Sequence, residues 1–312
     1  MDAENHRERK APAELISCGF NAAANTEKIS KSKRMSHMQF KGERFSLLHS
    51  APFAAVHVAV LGVLFAPLRW WYPLLALTLY GMRMFFVTAG FHRYFSHGTF
   101  KTSRVFQFLL AFSAMTSLQK GVLWWAAHHR HHHRFSDLDE DIHSPSLKGF
   151  WWSHLGWILN KRYNATRAEL VPDLARYPEL RWLDRYHMLP GAALGILLFL
   201  TGGVGVFLWG FCVSTVMLWH GTFTINSLCH VFCRRRYATT DTSRNSLILS
   251  LITLGEGWRN NHHHYMISVR QGFFWWEIDV PFYILRMLSW LHIVWDLKSP
   301  PRGLLQAVPA VS

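Results

Sequence analysis

The feature that most limits what this chain can be is a histidine frame that occurs twice. His129–His133 reads HRHHH and contains His-x-x-His-His at 129, 132 and 133. Trp258–Tyr265 reads WRNNHHHY and repeats the frame at 259, 262 and 263, with Arg259 in first place. Residues three and four apart share one face of a helix, so each frame presents its members together. A third cluster, His92-RYFS-His97, sits at the end of an apolar run. Its two histidines are about 140° apart on an ideal helix, so they converge only where the helix ends or distorts. Imidazole suits iron, zinc, copper and nickel. The convergent histidines outnumber what one metal can use, so two metals are the economical reading. Arg259 is the anomaly in it.

Apolar runs set where these clusters can meet. Stretches at about 51–68 and 73–91 read as one membrane hairpin, and stretches at about 188–201 and 204–224, broken by Gly202-Gly203, as a second. A ~30 Å hydrocarbon core takes roughly 20 residues of helix. Lys28, Lys31, Lys33, Arg34, Lys41 and Arg44 precede the first run and predict a cytosolic N-terminus. Four crossings return the chain to that side, so His92, His129–His133, His230 and His262–His264 share the cytosolic face. Arg83 lies within the second run; it is either functional or turned into the bundle. Phe273–Leu297 carries Glu277, Asp279, Pro281, Arg286 and Asp296 and is read as an interfacial segment, not a fifth span. Residues 1–45 form a polar basic tail expected to be disordered, with Met35 as an alternative start; 46–298 are the membrane domain and 299–312 a C-terminal tail.

The net charge of +14 does not point to nucleic acid, because long apolar runs accompany it. A structural zinc site would not draw ligands from so much of the chain. A two-metal hydrolase stays open, with Asp137, Asp139, Glu140 and Asp141 as bridging carboxylates. A metal transporter would place histidines inside the spans, where His57 stands alone. Oxygen-dependent oxidation of lipid fits a histidine-rich metal pair at a membrane surface, since side chains alone cannot break strong C–H bonds.

His92-RYFS-His97, His129-RH-His-His133, Asn226-SLC-His230 and Gly255-Glu-Gly-Trp-Arg-Asn-Asn-His-His263 resemble the histidine boxes of membrane fatty-acyl desaturases, most nearly the stearoyl-CoA desaturase group, of bacterial type. Phe135-Ser-Asp and Ser153-His-Leu-Gly-Trp157 add to the likeness, which runs from about Phe40 to Asp279. The resemblance implies an all-α integral membrane protein with four transmembrane helices and a cytosolic helical cap over two Fe ions. It implies one iron on His92, His97, His129, His133 and His263. A second would lie on His132, His230 and His262, with Asn226 fixing a water ligand. A further ligand position of the second iron is Arg259, which has no lone pair to offer. His264, His131 and His128 are possible replacements. The implied reaction inserts a cis double bond, of delta-9 type, into a long-chain acyl group with O2 and two external electrons. A lipid hydroxylase and an impaired relative are the alternatives. Gln119, Trp125, Trp258, Lys120 and Lys148 are the substrate candidates, and Arg130 and Arg134 could meet a phosphate-bearing head group. Ala127-His128 replaces a polar pair that serves coenzyme A in animal members, which leaves CoA, lipid and carrier protein open as acyl carriers. No haem-attachment or iron–sulfur motif is present, so a separate ferredoxin-like or cytochrome-type donor is expected. The expected location is the cytoplasmic membrane of a bacterium, in contact with membrane lipid and not with nucleic acid.

Overall fold

The computed structural model describes Phe45 and residues 47–305. The expectations for the N-terminal tail, including Met35 and its lysines, and for the last residues of the C-terminal tail lie outside them. The described chain is mainly helical. Two short strands, β1 (Lys101–Thr102) and β2 (Val294–Trp295), pair antiparallel, with Lys101 opposite Trp295.

Helix α1 (Leu47–Val60) is extended by a 3-10 turn, Leu61–Leu64. Helix α2 (Tyr72–Phe86) has Pro73 in its first turn, where no amide hydrogen is needed. It runs on without a break into a π-helix, Val87–Ser96. Helix α3 (Arg104–Met115) begins at Ser103, whose Oγ accepts from the Phe106 amide at 3.2 Å. It lies close against the π-helix: a Cβ on Gly90 would stand 3.3 Å from the Leu110 carbonyl oxygen. Helix α4 (Val122–Phe135) carries the second histidine cluster, and α5 (Pro178–Arg185) packs beside it. Asp184 of α5 accepts the Leu123 and Trp124 amides at 2.9 and 3.0 Å, which caps α4 from outside its own sequence.

Helix α6 (Leu189–Val206), a π-helical stretch (Phe207–Val213) and α7 (Ser214–Ser227) follow in sequence. Gly203, at φ +68° and ψ −162°, leaves the helical conformation inside α6. Only glycine adopts that backbone readily. The chain folds back there, and a Cβ on Gly195 would stand 3.4 Å from both Phe207 and Phe211. Among the described residues, two helical stretches are long and apolar enough to cross a membrane, Tyr72–Ser96 and the folded-back Leu189–His230.

Arg83 is turned into the bundle. Its guanidinium donates to Ser214 Oγ at 2.5 Å and to Thr215 Oγ1 at 2.9 Å. His57 is not alone: its Nε2 is 3.1 Å from Nε2 of His220, whose Nδ1 is 3.1 Å from His154 Nε2. Helices α8 (Arg259–His264) and α9 (Val280–Trp290) lie toward the C-terminal end. Glu277 and Asp279 are fully buried rather than lying at an interface. Asp279 caps α9 through the Phe282 amide and pairs with Arg93 at 2.8 Å, which ties the first histidine cluster to the segment after the last.

Candidate metal centre

His92 and His97 meet because the chain around them is π-helical. An i→i+5 hydrogen-bond pattern brings residues five apart onto one face, and such segments occur at functional sites. Their ring centroids lie 5.0 Å apart. Helix α4 then brings His129 and His133, and α8 brings His262. The ligand atoms of His92, His97, His129, His133 and His262 all fall within 4.8 Å of one another. Nε2 of His262 is 3.0 Å from Nε2 of both His92 and His133, and Nε2 of His129 is 3.0 Å from that of His97. Burial holds the His97, His129, His133 and His262 pKa values well below the ordinary imidazole range, so these rings are neutral at pH 7 and keep a lone pair.

His132, His230 and His263 form a second group. The structure therefore corrects the expected division: His262 joins the first group and His263 the second. Adjacent residues on a helix point about 100° apart, and the setting of α8 sends each imidazole to a different group.

Carboxylates stand behind these rings. His132 Nδ1–H donates to Asp141 at 3.0 Å, and His263 Nδ1–H to Asp241. His92 Nδ1 faces Glu256, and His230 Nδ1 lies 3.9 Å from Asp137 and 3.2 Å from Thr242 Oγ1. A carboxylate on Nδ1 fixes the tautomer and turns the Nε2 lone pair inward, as in metal sites. Burial raises the Glu256 carboxyl, but His92 and Arg93 beside it outweigh that and leave it at about 2. Burial lowers His263 to about 4, helped by Arg259 and opposed by Asp241. No spacing marks Asp241 or Glu256 for this role. Asp137 and Asp141, candidates for bridging carboxylates in the sequence, each stand behind an imidazole instead.

Five inward-facing neutral imidazoles fit a first-row metal ion such as iron. In the second group, Nε2 of His230 and of His263 are buried without a hydrogen-bond partner, as ligand atoms would be. His132 differs, because Arg259 Nη2–H donates to its Nε2 at 2.8 Å. Arg259 is 2% exposed, and burial lowers its pKa. None of the three expected replacements lies in the group. His264 stacks on Tyr237 at 4.0 Å, His131 faces the Glu140 carbonyl, and His128 Nδ1–H donates to the Trp124 carbonyl at 2.8 Å. His143, which the sequence did not single out, lies with its ring centroid 4.2 Å from that of His132.

A cavity of about 310 Å³ opens against the first group, with His92 and His129 in its wall. Its lining is mostly apolar and includes Phe53, Met84, Val87 and Trp219. Gln119, Lys120, Trp125 and Asn226 line it, as does Arg259. Trp125 stacks on His129 at 4.8 Å, Gln119 donates to Thr222 at 3.0 Å and Lys120 to Asn164 at 3.3 Å. Trp258 and Lys148 are not among the lining residues. Trp258 is buried elsewhere, with Nε1–H donating to the Ile278 carbonyl at 2.9 Å. Arg130 is bound to Asp173 at 2.6 Å.

A helical membrane protein that gathers carboxylate-backed histidines at the wall of an apolar cavity is built as a metal-dependent oxidoreductase of lipids. The chain belongs to the fatty acid desaturase family, whose sequence profile matches residues 68–298. It is 36% identical over 286 residues to delta-9 acyl-lipid desaturase 1 of Arabidopsis thaliana, covering 89% of this chain and 91% of that one. It is 34% identical over 258 residues to acyl-CoA 5-desaturase AL21 of Anemone leveillei, covering 81% and 80%. It is 38% identical over 224 residues to sn-2 palmitoyl-lipid 9-desaturase of Nostoc sp. (strain 36), covering 70% and 78%.

Proposed function

We propose that the protein inserts a cis double bond, of delta-9 type, into a long-chain acyl group linked to a membrane lipid. The observation that carries the reading is the apolar cavity with His92 and His129 of the five-histidine group in its wall. Iron held there would supply the oxidising chemistry: two hydrogens leave adjacent methylenes, and O2, two external electrons and two protons end as two waters. The side chains position and exclude. Phe53, Met84 and Trp219 keep water from the acyl chain. Trp125, stacked on His129, limits where a methylene can approach. Glu256, Asp141 and Asp241 hold imidazole lone pairs inward.

A lipid carrier is favoured over coenzyme A by the turn before His129. Ala127 is fully buried there, and the His128 ring lies against Trp124 at 4.3 Å. Relatives act on both carriers by name. In this reading the fold crosses the membrane four times, through α1, α2 and the two limbs of the Gly203 hairpin. The histidines then face the cytosol, as does the docking site of a ferredoxin-like or cytochrome-type electron donor. Asn226, in the cavity wall, would hold a water.

The test is expression in a host with saturated lipids and a competent electron donor, followed by mass spectrometry of double-bond position. A new monounsaturated lipid acyl group, lost in His262→Ala, is the expected result. Absence of any new unsaturated species, with the donor shown to be working, would sink the proposal. The contact of Arg259 with His132 favours one second reading, a relative of reduced turnover, in which Arg259→His raises product formation.

A further inference from the structure

The second histidine group does not fit a second metal ion. With its Nδ1–H on Asp141, neutral His132 has one lone pair left, on Nε2, and the Arg259 guanidinium takes it at 2.8 Å. Only His230 and His263 then keep unpartnered Nε2 atoms. Two imidazoles fall short of the three or four protein ligands that hold such an ion. No other histidine completes the set. His128, His131 and His264 are engaged elsewhere, and His143, though its Nδ1 is buried and unpartnered, groups with His132 and Asp141 and not with His230 and His263.

We infer that the Arg259 guanidinium is the resident cation of the second group, and that the chain carries one iron, held by the five-histidine group. The inference rests on the metal-centre reading above. Charge supports it. Asp137, Asp141 and Asp241 stand behind His230, His132 and His263. Among the described residues no carboxylate lies within ion-pair distance of Arg259. Its charge is offset from farther off by Asp241, Glu256 and Asp141, two of them through second-group imidazoles, the way a metal dication's would be. A dication beside a buried guanidinium is repelled, whereas the guanidinium needs no further ligand. Arg259 also reaches the cavity wall, so it sets a fixed, redox-inert positive charge beside the acyl site.

The test is the iron content of the purified full-length protein in detergent, measured by plasma mass spectrometry and by Mössbauer spectroscopy after ⁵⁷Fe loading. About one iron per chain is expected, with the spectrum of an isolated high-spin ion, and about two in Arg259→His. His263→Ala should keep the wild-type iron and His262→Ala should lose it, a comparison that stands even if Arg259→His does not fold. Two irons in the wild type, or a spin-coupled pair, would overturn the inference and leave the desaturase reading intact. So would an Arg259→His protein that folds and still binds one. No iron in either the wild type or Arg259→His would overturn the metal-centre reading and this inference with it.

Discussion

Asp141 and His132 are both fully buried and lie 3.0 Å apart, carboxylate oxygen to Nδ1. The opposite nitrogen of the same ring takes the Arg259 guanidinium, so a neutral imidazole stands between a negative and a positive group. Removing one end leaves the other buried and uncompensated. Asp141→Ala is expected to cost on the order of 3 kcal/mol, read as a lowered thermal midpoint in detergent. Asp141→Asn keeps an oxygen for Nδ1–H but not the charge, and should lose somewhat less than Asp141→Ala while still losing most of that amount. Equal, small losses in both variants would show that the carboxylate charge is not what matters.

The triplet His262–His264 separates three roles within one short helix. His262 belongs to the five-histidine group, His263 to the second group, and His264 stacks on Tyr237 at 4.0 Å. Loss of a group behind a ligand typically costs about 10–100-fold in metal affinity, so His262→Ala should exceed roughly 100-fold in activity and in iron affinity. His264→Ala should leave iron content unchanged. Equal losses from both variants would refute the division.

His128 gives a pH signature apart from the ligands. Burial lowers its pKa to about 4, with a smaller opposing effect of the Trp124 carbonyl. The folded value lies below that of the unfolded chain, so the unfolded chain takes up the proton first. Stability is full above about 6.5 and falls as pH drops toward 4, by about 1.4 kcal/mol per unit for this one group. Iron-loaded His128→Gln should show a shallower loss of thermal midpoint between pH 6.5 and 4 than the wild type. Parallel curves would contradict it.

The histidine frames were legible because helical spacing is a property of sequence alone, and the break at Gly202-Gly203 was legible because glycines punctuate apolar runs. Whether His262 or His263 faced the first group was not. That depends on how a helix as short as Arg259–His264 is set by its neighbours, with Asn260 and Asn261 both accepting and donating to distant backbone and side chains. The π-helix at Val87–Ser96 left no signature beyond the five-residue histidine spacing it accommodates. Glu277 and Asp279 suggested an interface because carboxylates usually face water. In the structure Arg236 and Arg93 pair with them in the interior. Arg259 was visible as an anomaly, but its contact with His132 joins segments that only the fold brings together.

The cavity sets the last expectation. Met84 is 1% exposed and lines it together with Pro52, Phe53 and Val87. Neighbouring space is already taken, since a Cβ on Gly221 would stand 3.1 Å from the Met84 methyl. An indole at this position is expected to project into the cavity. One methylene is worth roughly tenfold or more in an apolar pocket. Met84→Trp should therefore shift products toward shorter acyl chains, with at least about a tenfold loss on the longest substrate the wild type accepts. The iron content should not change, because Met84 belongs to neither histidine group. The readout is the chain-length distribution of monounsaturated products by gas chromatography and mass spectrometry. An unchanged distribution at full iron loading would mean that the acyl chain does not occupy this part of the cavity.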